Sequence, residues 1–298
     1  MKFLITGAGG LVGRATAKHC AREGSQIVGL DHAALDITNE REVSAAFDRE
    51  RPDVVINCAA WTDVDGSELD PARAWKVNAE GPERLAHACR QTGALLITIS
   101  TDYVFDGVKD GFYTQRDQPN PQSTYGRCKL EGERRAQLAW AHTVIVRSGY
   151  IFGTGGTNFL STVIARALRG ERLQTIRDCF GTPTYAADLA QRLFQLAQLD
   201  LPGIYHVVNS GEGASFEGFA RAAMETAGLD VNMLQSISFK ELNRAAPRPR
   251  NSRLRCLLSE AIGLEPLPDL HDALREFVAA EVSGVSLDTA SGMSGGLI

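Results

Sequence analysis

The stretch that most constrains the fold is KFLITGAGGLVG, at the start of the chain. A short apolar run, KFLIT (2–6), passes directly into Gly7-x-x-Gly10-x-x-Gly13, and residues from Gly10 to about Glu23 have helical spacing. Each glycine has a separate reason to be there. Gly7 permits a tight turn, Gly10 lets a pyrophosphate approach the backbone, and Gly13 lets the helix pack against the sheet. The first helical turn, Gly10, Leu11, Val12 and Gly13, offers unpaired N–H groups and the positive end of the helix dipole to phosphate. The plainer reading is a glycine-rich turn in an unrelated α/β protein. The strand before it and the helix after it favour a dinucleotide site.

The rhythm continues along the first two-thirds of the chain. Strands are expected at 26–30, 54–57, 94–100 and 143–147, with helices at 40–51, 72–92 and 125–141 between them. The strands are continuous apolar runs without alternation, the pattern of parallel strands covered on both faces. This argues an α/β fold with a doubly wound parallel sheet (Rossmann) and a smaller α/β substrate domain. The expected division is 1–148 and about 181–202 for the dinucleotide-binding domain, 149–180 and about 203–280 for the substrate domain. Residues 281–298, small and polar, read as a disordered tail.

Composition narrows the function. A net charge of −5 gives no reason to expect nucleic acid or an anionic membrane surface. No apolar stretch reaches membrane-spanning length, and no secretory signal is visible. The six cysteines show no CxxC and no paired spacing, and no two of the six histidines lie at ligand spacing. No metal or disulfide is therefore expected, and the expected location is cytoplasmic.

Asp31 closes the second strand, where a carboxylate can bond both adenosine ribose hydroxyls. It would repel a 2′-phosphate, and His32-Ala33-Ala34 supplies no Arg or Lys, so NADH is expected over NADPH, with NADPH as the alternative. Asp36 and Ile37 are candidates for the adenine edge, with a helix cap as the competing role for Asp36. Thr101 and Asp102 stand at the C-terminal end of the fourth strand, the usual ligand side of such a sheet. QSTYGRCKLEGE then places Tyr125 one helical turn before Lys129. Alone, that spacing fits a surface lysine over a ring. Beside a dinucleotide loop, both side chains can point at a nicotinamide ribose, the ammonium lowering the phenol's pKa towards neutral and Thr101 holding the reacting oxygen.

The sequence resembles the extended short-chain dehydrogenases, and more closely the dTDP-4-dehydrorhamnose reductase family. The carriers are TGAGGLVG, INCAAWTDVDGSE, KVNAEGPERLA, STDYVFDG, YGRCKLEGE, FGTPT and RPRNSRL, spread over nearly the whole chain. The first and fifth belong to the whole superfamily; STDYVFDG with RPRNSRL is specific to the reductase branch. The resemblance implies a Thr101–Tyr125–Lys129 triad and cofactor contacts from Asn57, Cys58, Ala59, Ala60 and Thr62, with Asn78 nearby. It implies substrate contacts from Val64, Asp65, Asp102, Tyr103, Tyr150, Asn251 and Arg253. Of the arginines clustered at 248, 250 and 253, Arg253 is the preferred partner of the substrate's pyrophosphate. The implied reaction is reduction of the C4 ketone of a nucleotide-linked 4-keto-6-deoxyhexose. The partner is that nucleotide sugar, and the oligomer considered is a homodimer.

Dehydration is disfavoured, because Tyr103 stands where dehydratases carry a glutamate. A related 4-ketoreductase, an epimerase, or a non-catalytic subunit like the beta subunit of methionine adenosyltransferase stay open as alternatives. Tyr150, Cys179 and Gly66 depart from the family's usual Trp, Gln and Lys, all near the expected sugar pocket.

Overall fold

The structure is a computed structural model that describes residues 1–288, with side chains described to residue 281. In chain order, β1 (Lys2–Thr6), α1 (Leu11–Arg22), β2 (Gln26–Leu30), α2 (Glu40–Glu50) and β3 (Val54–Asn57) open the fold. Then come α3 (Val64–Leu69), α4 (Pro71–Trp75), α5 (Gly81–Thr92), β4 (Leu95–Thr101), α6 (Thr124–Ala139) and β5 (Thr143–Ser148). The remainder is β6 (Ile151–Phe152), α7 (Phe159–Leu168), β7 (Leu173–Ile176), β8 (Phe180–Gly181), β9 (Thr184–Tyr185) and α8 (Ala186–Leu199). It ends with β10 (Gly203–His206), β11 (Ala214–Ser215), α9 (Phe216–Thr226), β12 (Leu234–Ile237) and α10 (Leu270–Asp288).

Six strands form one sheet in the order β10-β5-β4-β3-β1-β2, every pair parallel. The apolar runs explain why both faces are covered. Phe3, Ile5, Ile56, Ile97 and Val146 pack on one face with Leu189 and Leu193 of α8. Their neighbours Leu4, Val55 and Leu96 pack on the other with Phe47 of α2, Leu85 of α5 and Ala136 of α6. Successive side chains along each strand thus enter opposite cores, each large one contributing roughly 1.5–3 kcal/mol on burial. From β1 the chain runs outward to β2, then crosses back to β3 on the other side of β1. That reversal opens a crevice at the carboxyl ends of β1 and β3.

Beyond β5, the short pairs β6–β9, β7–β12 and β8–β11 support a further core in which Phe152, Leu160, Phe219, Leu274 and Phe277 meet. β10, at the expected boundary near residue 203, is the edge strand of the large sheet.

Two expectations are corrected. The single helix over 72–92 is two helices joined by a π turn, Lys76–Glu80. Pro82 has no N–H to give to the carbonyl four residues back, so the ladder widens there and restarts with Pro82 in the first turn of α5. The disordered tail is replaced by helix over 281–288, since α10 reaches Asp288. Extending an existing helix costs far less than starting one, and no proline stops it. Residues 289–298 of that tail lie outside the described residues.

Candidate active site

The glycine turn is an interlock of backbone. Gly7 has φ +63°, and the Gly10 N–H donates to the Gly7 carbonyl at 2.9 Å. A Cβ on Gly13 would stand 2.2 Å from the Gly7 oxygen, and one on Gly7 would stand 2.7 Å from the Ala59 nitrogen. Only hydrogen fits at these positions. Gly10 caps α1 without a side-chain bond, so the first-turn N–H groups have no partner within the helix. Gly10, Leu11, Val12 and Gly13 line a cavity of about 550 Å³ together with Cys58, Ala59, Ala60, Thr62 and Val64.

Asn57 fixes the β3 end. Its side chain donates to Thr98 Oγ1 at 2.9 Å and accepts from Thr6 Oγ1 at 2.7 Å, tying three strands together. Asn78, in the π turn, exchanges two hydrogen bonds with the backbone of Trp61 at 3.0 and 2.9 Å. It thus holds the loop that carries Thr62.

Gly7, Asn57 and three other expected cofactor residues lie outside the lining. Asp31 is exposed beside the glycine turn, its Cβ 3.3 Å from where a Gly9 Cβ would be, and its carboxylate accepts the Ala34 N–H at 3.0 Å. Asp36 accepts the Thr38 N–H at 2.9 Å, and Ile37 is buried in the core against Gly81.

Thr101, Tyr125 and Lys129 come together in the same cavity. The start of α6 is anchored twice. Ser123 accepts the Gly126 N–H at 3.1 Å, and Glu68 of α3 accepts both the N–H and the hydroxyl of Thr124 at 2.6 Å. Lys129, buried, donates to the Ile99 carbonyl at 2.6 Å. Burial pushes Lys129 down to about 8 and Tyr125 up to about 12, with a hydrogen bond to Thr101 opposing the latter. This corrects the expectation of a phenol brought towards neutral: desolvation outweighs every favourable neighbour, so Tyr125 is protonated and the lysine is the softer charge.

Behind the lysine, Glu133 sits one further turn along α6. It accepts two bonds from Arg147 at 2.9 and 2.7 Å and one from Ser100, and its charge raises the Lys129 pKa against burial. Glu133 is a supporting residue that the sequence reading passed over. The Lys-x-x-x-Glu spacing within KLEGE was the available signal.

On the opposite side, Asp102, Tyr103 and Tyr150 line the cavity with Phe216, Asn158 and Phe159. Asp102 is buried and accepts from Thr101 Oγ1 at 3.0 Å and from Ser252 Oγ; burial pushes it up to about 6. Tyr150 adopts φ +46° and stacks on Phe216 with ring centroids 4.3 Å apart. A Cβ on Gly181 would lie 2.4 Å from Tyr150 Cε1.

Asp65, Asn251 and Arg253 are not in the lining. Asp65 takes two bonds from Arg248, at 3.0 and 2.8 Å, and one from the Ala246 N–H at 2.9 Å. Arg248 beside it holds Asp65 down at about 2. Asn251 donates to the carbonyls of Lys109 and Gly111, both at 2.6 Å, and accepts from Arg253 Nε at 2.9 Å. The Arg253 guanidinium lies 5.3 Å from the Phe112 ring and 5.8 Å from the Phe180 ring. Ser252, Phe216 and Asn158 were not singled out from sequence. Ser252 sits within RPRNSRL, while Phe216 and Asn158 carry no motif. Among the described residues no three His, Cys, Asp or Glu side chains gather to hold a metal, and no helix is long and apolar enough to cross a membrane.

Residues 1–283 match the family described as RmlD substrate binding domain. A dTDP-4-dehydrorhamnose reductase of Mycobacterium tuberculosis is 40% identical over 296 residues, covering 96% of this chain and 95% of that protein. Among solved structures, the dTDP-4-dehydrorhamnose reductase of Clostridium acetobutylicum superposes with TM-score 0.90 at 36% identity, over 94% of this chain and 99% of that one. The Bacillus anthracis enzyme of the same name, solved in complex with NADP, also gives TM-score 0.90, at 33% identity and the same two coverages.

Proposed function

The chain belongs to the RmlD substrate binding domain family, and from that premise we propose that it is an oxidoreductase reducing dTDP-4-dehydro-L-rhamnose to dTDP-L-rhamnose. The observation that carries the reading is one cavity lined by both the Gly10–Gly13 turn and Thr101, Tyr125 and Lys129.

The residues fit a nicotinamide dinucleotide. First-turn N–H groups of α1 are free for a pyrophosphate, and the glycine interlock leaves the backbone bare for close approach. A bound NADH or NADPH supplies the hydride. The protein's share is proton control. Tyr125 Oη, kept protonated by burial, gives its proton to the oxygen at sugar C4 as charge develops there. Thr101 orients that oxygen, and Lys129 supplies positive charge that steadies the phenolate left behind. Asp31 favours NADH, since its carboxylate beside the glycine turn faces a 2′-phosphate with like charge. NADPH is the alternative, given the NADP complex of the Bacillus anthracis relative. Asp102, Tyr103 and Tyr150 are the proposed sugar contacts, with Val64 beside them.

The test is oxidation of NADH and of NADPH with dTDP-4-dehydro-L-rhamnose as acceptor. Turnover is expected, faster with NADH, and Tyr125→Phe should lower kcat by roughly 10²–10⁴ while leaving cofactor affinity unchanged. Cofactor binding without any oxidation would remove the reductase reading and leave an epimerase or a binding subunit. Equal kcat/KM for both cofactors would remove the role given to Asp31.

A further inference from the structure

A second cavity, about 410 Å³, shares no lining residue with the first. It lies between the segment following β10, the strap around residues 254–257 and the loop over 259–267. Two of its residues are unusual. Arg192 of α8 is only 4% exposed, yet it makes no ion pair with a carboxylate among the described residues. Its guanidinium is held by neutral groups instead: Gln195 Oε1 at 2.9 Å, Ser259 Oγ at 3.4 Å and the Glu265 carbonyl. A guanidinium keeps its charge at any accessible pH, so a buried one without a counter-ion is a place where an anion gains by binding.

The second residue is Cys256, half-buried on the strap and lining the same cavity. Its sulfur accepts from Gln115 Nε2 at 2.9 Å. Burial pushes this thiol up as well, but donors from the Ser259 hydroxyl and from the His206 and Leu258 backbone, together with Gln115, outweigh it and hold the thiol below its ordinary pKa. The other five cysteines go the opposite way, each pushed up by burial. Thiolate character is what makes a cysteine a nucleophile.

We propose that Cys256 is a thiol–disulfide exchange site for small anionic disulfides, with Arg192 holding a carboxylate of the incoming molecule. The Cys256 thiol first loses its proton to solvent. The thiolate attacks one sulfur of the disulfide, the S–S bond breaks, and the distal half leaves as a thiolate. The product is a mixed disulfide on Cys256, reversed by a reducing thiol through the same exchange.

The test uses the full chain, folded, with two reagents: the dicarboxylate dithiobis(nitrobenzoate) and the uncharged dithiodipyridine. One thiol is expected to react ahead of the rest, to map to Cys256 by peptide mass, and to vanish in Cys256→Ser, which keeps normal ketosugar turnover. The preference for the anionic reagent should fall about tenfold in Arg192→Gln and survive in Arg192→Lys. Because Arg192→Gln also removes a buried anchor, Gln115→Leu supplies a second reading: the pH midpoint of the Cys256 reaction moves up, as a lost donor to the thiolate requires. A fast thiol that persists in Cys256→Ser would overturn the proposal. So would a reagent preference unchanged by Arg192→Gln, or a midpoint unmoved by Gln115→Leu.

Discussion

On the cofactor side of the active-site cavity, the Gly10–Gly13 turn and the Cys58–Ala60 loop present backbone, fitted so closely that a single Cβ on Gly13 would lie 2.2 Å from a carbonyl oxygen. On the sugar side, side chains meet from far apart: Ser252 reaches Asp102 across 150 positions, and Tyr150 stacks on Phe216. The first wall is rigid because little fits between its strands. The second is held by a few hydrogen bonds and ring contacts between side chains. A wall made of main chain suits a cofactor common to many reductases, and a wall made of side chains suits a variable sugar.

Gly13→Val strikes the first wall and should have the largest effect, a loss of about 3 kcal/mol or more in stability, with nicotinamide cofactor binding lost alongside it. Thermal denaturation and cofactor titration measure both. Retained cofactor affinity in a folded Gly13→Val protein would break the contrast at its strongest point.

Asp102→Asn comes next. Asp102 holds its proton more tightly folded than unfolded, so the stability this adds is complete below pH about 4 and is lost as pH rises through about 6. Over that window the wild type should lose on the order of 2–3 kcal/mol relative to Asp102→Asn, read from denaturant midpoints at a series of pH values. A parallel pH dependence in the two proteins would mean that Asp102 is not desolvated as described.

Ser252→Ala removes one donor to that carboxylate, at a cost of about 1–2 kcal/mol. The Asp102 pKa should rise further, and kcat/KM for the sugar nucleotide should fall while cofactor Kd stays constant. A change in cofactor Kd would show that the two walls are not independent. The smallest effect belongs to Asp65→Asn. Arg248 holds Asp65 at about 2, so its contribution is complete above pH about 4 and fades as pH falls towards 2. For a solvent-touched pair this amounts to under about 1 kcal/mol, and an acid titration of stability in both proteins would reveal it.

The same contrast explains what could be read from the sequence. The sheet, the glycine turn and the Tyr125–Lys129 helix announce themselves within a dozen residues each, because tight turns and helical spacing are local requirements. Strand expectations at 54–57 and 143–147 fall on β3 and β5 for that reason. The π turn at Lys76–Glu80 was missed because Pro82 permits either a kink or a restart, and packing decides. Glu133, Ser252 and Phe216 were missed because their meaning depends on partners that only the folded chain brings near. The pKa of Tyr125 went opposite to expectation for a similar reason: spacing along a helix reports a neighbouring charge but not the depth of burial.

The pairing of Tyr150 with Gly181 has a consequence for ancestry. The Tyr150 ring fills the space where any other residue at 181 would place its Cβ, so the two positions cannot vary freely. A lineage that first exchanges glycine at 181 meets a collision, whereas one that first shrinks the ring at 150 opens room for that later change. A larger residue at 181 is thereby admitted only after the ring at 150 has shrunk, and the ring can return only after glycine does, so this pair of the sugar pocket changes in a set order.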